Sequence, residues 1–226
     1  MAEQQQQKTE KAPTTQRSTF VKSAARIEVL IGGPYKQNGE EHPYGHAALR
    51  VVTPESDSTY DYGRYGKVWG KFDSEGEGIL RVWTNFSKYI AGENATGRTT
   101  TGFAFKATTT ETKAVNDYFN GLIVGSKPTQ DRGYMKQYKI KSAYHALNSN
   151  CTTLTIDGAK QAFPAFASDA ASFNVGNGMG NGEKLVARWE GWPKRLFMPA
   201  DLKNYISSLK GDSAPYETKT YSGKSN

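Results

Sequence analysis

The chain has 226 residues, of which 36% are hydrophobic and 23% charged, and this composition excludes a wholly disordered protein and predicts one globular unit with loose ends. The formal net charge is +7, which favours polyanionic surroundings such as nucleic acid, anionic lipid or cell-wall polymer. The 29 Lys and Arg residues form no run of five or more, so the basic stripe of a specific nucleic-acid binder is missing. No apolar run approaches the roughly 20 residues of a membrane-spanning helix, and no transmembrane segment is predicted.

Both ends of the chain are polar. Residues 1–24 are rich in Gln, Thr and Lys and are predicted to form a disordered N-terminal arm. They contain no apolar segment of the kind that a secretory signal requires, so the protein is expected to be made in the cytoplasm without a signal peptide. Residues 25–210 are predicted to form a single domain, and residues 211–226 a flexible C-terminal tail.

The first part of the domain has the pattern of β-structure. The segment RIEVLIGG, from Arg26, is a short apolar run that ends in two glycines and predicts a strand and a turn. The segment GHAALRVVTPESDSTYDYGRYG has two β-like runs around TPESDS and predicts a hairpin that carries His46 and Asp61. Further strands are predicted in GILRVWTNF and TTTGFAFKATT, with AGENATGR as the loop between them, and a strand or turn in YMKQYKIKSAYHAL.

Three segments carry helix signals. In TETKAVNDYFNGLIVG apolar residues recur at spacings of three and four before Gly125, which predicts an amphipathic helix. Cys151 is predicted at or near a helix N-terminus, because Leu154 and Ile156 begin a mostly helical pattern after it. The segment MPADLKNYISSL, with Pro199 in its first turn, predicts a short C-terminal helix, and NVGNGMGNGE before it is predicted to be a long surface loop.

Cys151 is the only cysteine, so the chain has no disulfide scaffold and the thiol is either a small apolar residue or a nucleophile. A helix N-terminus and a nearby imidazole both favour the reactive thiolate. His42 precedes Pro43 in a segment typical of an exposed loop, and a surface or turn role is the default for His145. His46 opens an apolar strand, which predicts a rigid backbone position, and it is the candidate general base.

Asp61 is the candidate third residue of such a site. A carboxylate that hydrogen-bonds to the far ring nitrogen of a histidine fixes its tautomer and favours the imidazolium. Because side chains alternate along a strand, Asp61 shares a face with His46 in only some hairpin registers. A role as a polar residue near a turn, or as a partner of Arg64, is an equally open interpretation.

The sequence predicts no metal site and no cofactor. His42 and His46 have the spacing of a helical zinc pair, but Pro43 and Gly45 lie between them and argue against a helix. A zinc site built from Cys and His needs more soft ligands than the chain has. The segments GGPYKQNG and GNGMGNG lack the Lys-Ser/Thr ending of a phosphate loop, and no G-x-S-x-G motif of a serine hydrolase occurs.

The segments GHAALRV and TYDYGRYG, followed about a hundred residues later by ALNSNCTTLTIDG, resemble a circularly permuted NlpC/P60-type cysteine peptidase of the papain-like superfamily. The likeness covers roughly residues 26–163 and is greatest to type VI secretion effectors that cut peptidoglycan peptides in rival bacteria. It implies an α+β fold in which an antiparallel sheet packs against the helix that bears the cysteine. It also implies Cys151 as nucleophile, His46 as base and Asp61 as third residue, a position that is His, Asn or Gln in many relatives.

The resemblance also implies a function. The domain at residues 25–210 would be a cysteine hydrolase that cleaves amide bonds in peptidoglycan stem peptides and acts as an antibacterial toxin. Its expected partners are the peptidoglycan peptide, a component of the secretion machine and a cognate immunity protein. The positive charge would help it dwell on an anionic cell wall, and the missing signal segment fits delivery to the periplasm of a target bacterium and fits a cytoplasmic protein no worse.

Three other interpretations remain open from the sequence. The same Cys–His pair could serve an acyltransferase, a lipid hydrolase or an isopeptidase. The protein could be a non-catalytic binding or structural module of a cell wall or phage, in which Cys151 is buried and unreactive. The net positive charge and the tyrosines between the basic residues keep nucleic-acid binding open as a third interpretation, and such binding would depend steeply on salt concentration.

Overall fold

The computed structural model describes residues 24–37, 40–70 and 74–223. Within these residues the protein combines five α-helices with a mostly antiparallel β-structure, so the expected α+β class is confirmed. The predicted disordered arm, residues 1–24, lies outside the described residues apart from Ala24.

Eight strands form the main sheet, and every neighbouring pair is antiparallel. In all, the described residues form thirteen strands, which are β1 (Arg26–Gly32), β2 (Tyr35–Gln37), β3 (Glu40–His42), β4 (His46–Val52), β5 (Asp57–Gly63), β6 (Val68–Trp69), β7 (Glu75–Gly76), β8 (Ile79–Trp83), β9 (Thr100–Lys106), β10 (Gln130–Asp131), β11 (Met135–Lys139), β12 (Tyr144–His145) and β13 (Glu217–Tyr221). The order in the main sheet is β10-β11-β8-β5-β4-β1-β9-β13. Strands β12, β7 and β6 form a three-stranded sheet, and β2 pairs with β3.

The described residues form five α-helices, three of which begin at a residue whose side chain caps the helix. They are α1 (Phe86–Ala95), α2 (Thr109–Ile123), α3 (Cys151–Ala159), α4 (Asn181–Trp189) and α5 (Pro199–Ser208). Thr108 and Glu111 cap each other's backbone at the start of α2, and Asn150 and Thr153 do the same for α3. Pro199 occupies the first turn of α5, where its missing N–H costs nothing. The predicted helices α2, α3 and α5 are confirmed.

The predicted hairpin is formed by β4 and β5. The loop is closed by a hydrogen bond from the N–H of Thr53 to the carbonyl of Ser56 (2.8 Å), and the Thr53 hydroxyl accepts from the N–H of Ser56 (2.9 Å). In the register of this hairpin Ala48 lies opposite Asp61. The residue two positions before Ala48 is His46, so His46 and Asp61 lie on the same face of the sheet.

Helices cover both faces of the main sheet. Ile27, Val29 and Leu49 enter the larger core, which α2, α3 and α5 complete. Leu30 and Ala48, which point the other way, pack with Tyr89 of α1. The helix that begins at the cysteine therefore packs on one face of β4, while His46 and Asp61 belong to the face covered by α1.

Gly158 allows α3 to approach the sheet closely. A Cβ atom at this position would lie 2.6 Å from the ring of Phe119 in α2 and 2.9 Å from Leu49 in β4. Glycine is unfavourable inside a helix, so its presence here is explained by the space that the neighbouring side chains occupy. The close contact holds α3 against the strand that begins with His46.

Two loop predictions are wrong. The segment AGENATGR is not a loop throughout, because residues 91–95 complete α1, whose start is capped by the side chain of Asn85 accepting from the N–H of Lys88 (3.1 Å). The segment NVGNGMGNGE is not entirely a loop either, because α4 begins within it at Asn181. The N–H of Gly180 donates to the Glu183 carboxylate (2.6 Å), and this hydrogen bond caps the start of α4. The glycines around it made a helix start hard to predict from the sequence.

Part of the expected C-terminal tail is paired with the sheet. Residues 217–221 form β13, whose backbone pairs with β9. The hydroxyl of Tyr221 donates to the Glu28 carboxylate in β1 (2.7 Å), so the strand is also fixed by a side chain. The polar sequence ETKTY does not predict a strand, because four of its five residues are exposed and the strand is held by its backbone and by Tyr221.

None of the helices in residues 24–37, 40–70 and 74–223 combines the length and the hydrophobicity that crossing a membrane requires.

Candidate active site

His46 is the first residue of β4, and the turn before it requires glycine. Gly45 has a positive φ of 71°, and a Cβ atom there would lie 2.6 Å from the carbonyl oxygen of Gly32. His46 itself pairs with Gly32 across the β1–β4 ladder. The backbone of His46 is therefore fixed at the end of a central strand, as its sequence position predicted. His46 is only 7% exposed.

Asp61 binds the imidazole of His46 directly. The distance from His46 Nε2 to Asp61 Oδ1 is 2.6 Å, and Asp61 is 2% exposed. Because the carboxylate is an acceptor, the proton of this hydrogen bond lies on Nε2. The second ring nitrogen, Nδ1, is thus the one left to face another group.

Cys151 is the first residue of α3. The N-cap residue Asn150 accepts through Oδ1 from the N–H of Thr153 (3.0 Å), and Asn150 Nδ2 donates to the carbonyl of Phe197 (2.9 Å). These bonds fix the start of the helix against the segment before α5. The N–H groups of Cys151 and Thr152 precede the first intrahelical bond, so the helix itself provides no acceptor for them.

The thiol of Cys151 and the imidazole of His46 lie close enough for each to shift the pKa of the other. The backbone N–H of Ala47 also lowers the pKa of the thiol. The structure therefore brings together the three predicted residues Cys151, His46 and Asp61, which line one cleft. The chain supplies them from a helix start and from two adjacent strands.

The electrostatics of this arrangement favour an ion pair. Burial alone would lower the pKa of His46, but the charge and hydrogen bond of Asp61 outweigh it and, with Cys151, raise the pKa from 6.5 to about 10. Burial alone would raise the pKa of the Cys151 thiol, yet the hydrogen bond and charge of His46 lower it overall. Burial likewise acts against ionisation of Asp61, and His46 holds the pKa of that carboxyl below its usual value. Each group therefore favours the charged form of the other, a thiolate beside an imidazolium.

A cleft of about 840 Å³ opens beside these three residues. Its walls are rich in tyrosine: Tyr35, Tyr44, Tyr62, Tyr65, Tyr89 and Tyr144. Glu183 and Val186 of α4 line it from one side, and the Tyr44 hydroxyl donates to Glu183 from the turn before β4. A cleft of this size accommodates a small organic ligand or a short peptide.

The sequence did not identify Tyr65 and Trp83 as part of the site. The Tyr65 hydroxyl donates to Asp61 Oδ1 (2.8 Å), and Trp83 Nε1 donates to Asp61 Oδ2 (3.4 Å). Tyr65 lies in the quoted segment TYDYGRYG, four residues after Asp61, so its proximity had a local signal. Trp83 reaches the site through the β5–β8 pairing, where it lies opposite Thr59, and no local pattern indicates that.

Of the other two histidines, His145 lines the same cleft as Cys151. His145 is in β12, and its Nδ1 accepts from the backbone N–H of Leu147 (3.2 Å), which matches the expected turn role. His42 ends β3 and its side chain lies outside the described residues. In the part of the chain that the structure describes, no three His, Cys, Asp or Glu side chains are grouped as a metal ion would require.

Comparisons with protein-family models, with curated proteins and with solved structures give no match to this chain.

Proposed function

We propose that the protein is a cysteine hydrolase that cleaves amide bonds in peptidoglycan stem peptides. One observation carries the proposal: His46, whose Nε2 is bound to Asp61 at 2.6 Å, lines the same cleft as Cys151 and lowers the pKa of its thiol. Nucleophilic cysteine catalysis needs this order of groups, because the base must contact the sulfur while a third residue orients the base. In this role Cys151 is the nucleophile, His46 the general base and acid, and Asp61 the residue that orients His46.

The chain order of the elements supports a circularly permuted NlpC/P60-type fold. The histidine strand β4 precedes the cysteine helix α3, and α3 packs on the antiparallel sheet at β4. The cysteine begins the helix and the histidine begins the strand, as the resemblance implies. This architecture is the finer part of the fold assignment and belongs to the proposal.

Acylation begins with the Cys151 thiolate attacking the carbonyl carbon of the scissile amide, which forms a C–S bond and moves an electron pair onto the carbonyl oxygen. The N–H groups in the first turn of α3 are positioned to donate to that oxyanion, where the helix dipole also favours negative charge. When the C–N bond breaks, His46 gives its Nδ1 proton to the leaving nitrogen. A thioester on Cys151, a free amine and a neutral imidazole result.

Deacylation reverses the roles of His46. The neutral imidazole takes a proton from water while the water oxygen attacks the thioester carbon. Collapse of the second tetrahedral intermediate breaks the C–S bond, which releases a carboxylic acid and restores the Cys151 thiolate beside the His46 imidazolium. Asp61 keeps its negative charge throughout and stabilises each imidazolium state.

The substrate assignment draws on the cleft and on the charge of the chain. A volume of about 840 Å³ with tyrosine walls suits a short peptide segment, whose backbone can bond to hydroxyls and whose side chains can pack on rings. The net charge of +7 favours residence on an anionic polymer such as a cell wall. As the resemblance implies, the setting would be an effector that reaches the periplasm of a target bacterium, with a secretion component and an immunity protein as partners.

The test uses purified peptidoglycan and defined muropeptides with the full chain. Wild type should release peptide fragments with new amino and carboxyl ends, and Cys151→Ala and His46→Ala should each reduce the rate by about 10³-fold or more. Melting curves of the three proteins serve as the folding control. Turnover at the wild-type rate in either variant would refute the mechanism.

A parallel panel of lipid esters and isopeptide-linked proteins tests the other uses of the same residues. Cleavage of muropeptides alone excludes an acyltransferase, lipid hydrolase or isopeptidase. Turnover of a lipid or isopeptide substrate with no muropeptide cleavage would keep the Cys–His chemistry and reject the peptidoglycan substrate. If no substrate reacts and Cys151 alkylates slowly at neutral pH, the protein is a non-catalytic module.

A further inference from the structure

The carboxylate of Asp61 is held by three side chains. Its Oδ1 accepts from His46 Nε2 (2.6 Å) and from the Tyr65 hydroxyl (2.8 Å), and its Oδ2 accepts from Trp83 Nε1 (3.4 Å). Asp61 is 2% exposed, so these donors replace the water that would solvate an exposed carboxylate. The orientation of Asp61 toward His46 therefore depends on Tyr65 and Trp83.

The ring of Tyr65 is itself held in place. It folds back over Gly63, where a Cβ atom would come within 2.9 Å of the ring. On its face lies the guanidinium of Arg81, 3.4 Å from the ring centroid, and Arg81 Nε donates to the side chain of Gln137 (2.9 Å). The hydroxyl of Tyr65 thus approaches Asp61 from a fixed direction.

The hydroxyl of Tyr65 also lies near the imidazole, at 3.5 Å from His46 Nε2. Burial and the negative charge of Asp61 raise the pKa of Tyr65 well above its ordinary value. Tyr65 consequently keeps its proton at any working pH, and that single proton is donated to Asp61.

We infer that Tyr65 is a positioning residue of this site: its hydroxyl fixes Asp61 Oδ1 in line with His46 Nε2. The role of the site in hydrolysis rests on the proposed function, whereas the effect of Tyr65 on the Cys151–His46 pair does not. Without the hydroxyl, Asp61 Oδ1 is no longer held in line with His46 Nε2, so the charge and hydrogen bond that raise the pKa of the imidazole are weakened. The thiolate of Cys151, which the imidazolium stabilises, then forms only at higher pH.

Several charged or titratable groups surround Asp61 and bear on this pH dependence. They are His46 of β4, Arg81 of β8, Tyr65, and Tyr89 and Glu93 of α1. Burial raises the pKa of Tyr89 well above its ordinary value, so it stays neutral like Tyr65. Glu93 is paired with Arg98 at 2.7 Å.

The experiment measures the alkylation rate of Cys151 by iodoacetamide as a function of pH in the full chain. In Tyr65→Phe the acid limb of the profile is expected to move to higher pH by about one unit, which corresponds to an about tenfold slower reaction on that limb. The matched control is Tyr60→Phe. Tyr60 lies on the same strand as Asp61, but the Tyr60 hydroxyl donates to Asn116 (2.9 Å) and not to Asp61. The control profile should follow that of wild type. A Tyr65→Phe profile superimposable on the wild-type profile would overturn the inference.

A second variant acts on the same contact from another residue. Gly63→Ala forces the Tyr65 ring away from its position and should shift the profile in the same direction. If wild type cleaves muropeptides, Tyr65→Phe should lower kcat by about tenfold and leave KM within about twofold, because Phe keeps the ring that lines the cleft and only the hydroxyl bound to Asp61 is lost. If wild type cleaves none, the proposed function fails, and the alkylation profile still decides the role of Tyr65.

Discussion

Asn150 joins the start of α3 to the segment that leads into α5. Its Nδ2 donates to the carbonyl of Phe197 over 2.9 Å, while its Oδ1 accepts from the N–H of Thr153 at 3.0 Å. The side chain is 3% exposed, so both bonds are made away from water. The residue next to the nucleophile therefore fixes the helix start with one atom and a distant loop with the other.

Replacing Asn150 by Ala should destabilise the protein more than replacing the N-cap of α1. Asn85→Ala removes an exposed cap and should cost about 1 kcal/mol. Asn150→Ala removes a cap and also leaves the buried carbonyl of Phe197 without its donor, which adds about 1–3 kcal/mol. Chemical denaturation of both variants measures the difference. Equal losses would mean that the bonds from Asn150 Nδ2 to the carbonyls of Phe197 and Ala146 contribute nothing to stability.

Gly158 and Gly121 offer a matched pair of helical glycines. Gly158→Ala should destabilise by about 1–3 kcal/mol, because the added methyl meets the ring of Phe119 and the side chain of Leu49. Gly121→Ala, in α2, should stabilise by about 0.5–1 kcal/mol, since nothing lies within 4 Å of the added atom. Urea unfolding at one pH measures both changes. Stabilisation by both substitutions would contradict the close packing of α3.

The buried His46–Asp61 pair should make stability depend on pH, and the Cys151→Ala background isolates this effect. The folded-state pKa of His46 lies above its unfolded value of 6.5, and Asp61 is the larger contributor to that rise. Its stabilisation is therefore complete below about pH 6.5 and is lost as the pH rises toward the folded-state pKa. The free energy of unfolding should fall by up to about 1.4 kcal/mol per pH unit in that range.

The control for this measurement is the double variant Cys151→Ala/His46→Gln, which keeps every other titrating group. Its free energy of unfolding should lack the slope above pH 6.5. Parallel curves for the single and double variants would show that Asp61 does not hold a charged imidazole.

Expression in a bacterial host tests where the proposed hydrolase acts. The chain fused to an export signal should cause lysis, because the fusion reaches the cell wall, and the same chain without the fusion should be tolerated. Exported Cys151→Ala should be harmless if cleavage causes the lysis. Microscopy and optical density follow the outcome, and immunoblots check that the proteins accumulate equally. Equal lysis by the exported wild type and the exported variant would show that the toxicity does not depend on the Cys151 thiol.

Local patterns predicted the elements that carry the site. The β4–β5 hairpin could be predicted from the alternation in GHAALRV and TYDYG and from the loop residues between them. Helix α3 could be predicted from the capping residue Asn150 and the apolar residues after Cys151. The register that lets Asp61 meet His46 could not be predicted, because either alternation fits the sequence. The contact between the thiol and the imidazole depends on that register and on how α3 packs.

The missed elements have weak local patterns for physical reasons. Helix α4 begins in a run of Gly and Asn, which favours a loop over a helix start, and its apolar residues Leu185, Val186 and Trp189 are exposed instead of packing on the core. Helix α1 contains Gly92 and ends in polar residues, and Tyr89 is its only buried residue. Trp83 reaches Asp61 through strand pairing between distant parts of the chain, which no short motif encodes.

The pairing of β13 with β9 has a consequence for the behaviour of shortened chains. An uncovered strand offers a row of free N–H and C=O groups that can template pairing with another molecule. Removing the residues that follow Lys210 would uncover β9, which carries Phe103 and Phe105, and would also remove the tyrosine that bonds to Glu28. Such a truncation would therefore convert a closed sheet margin into an aggregation-prone surface, although the removed segment looks dispensable by composition.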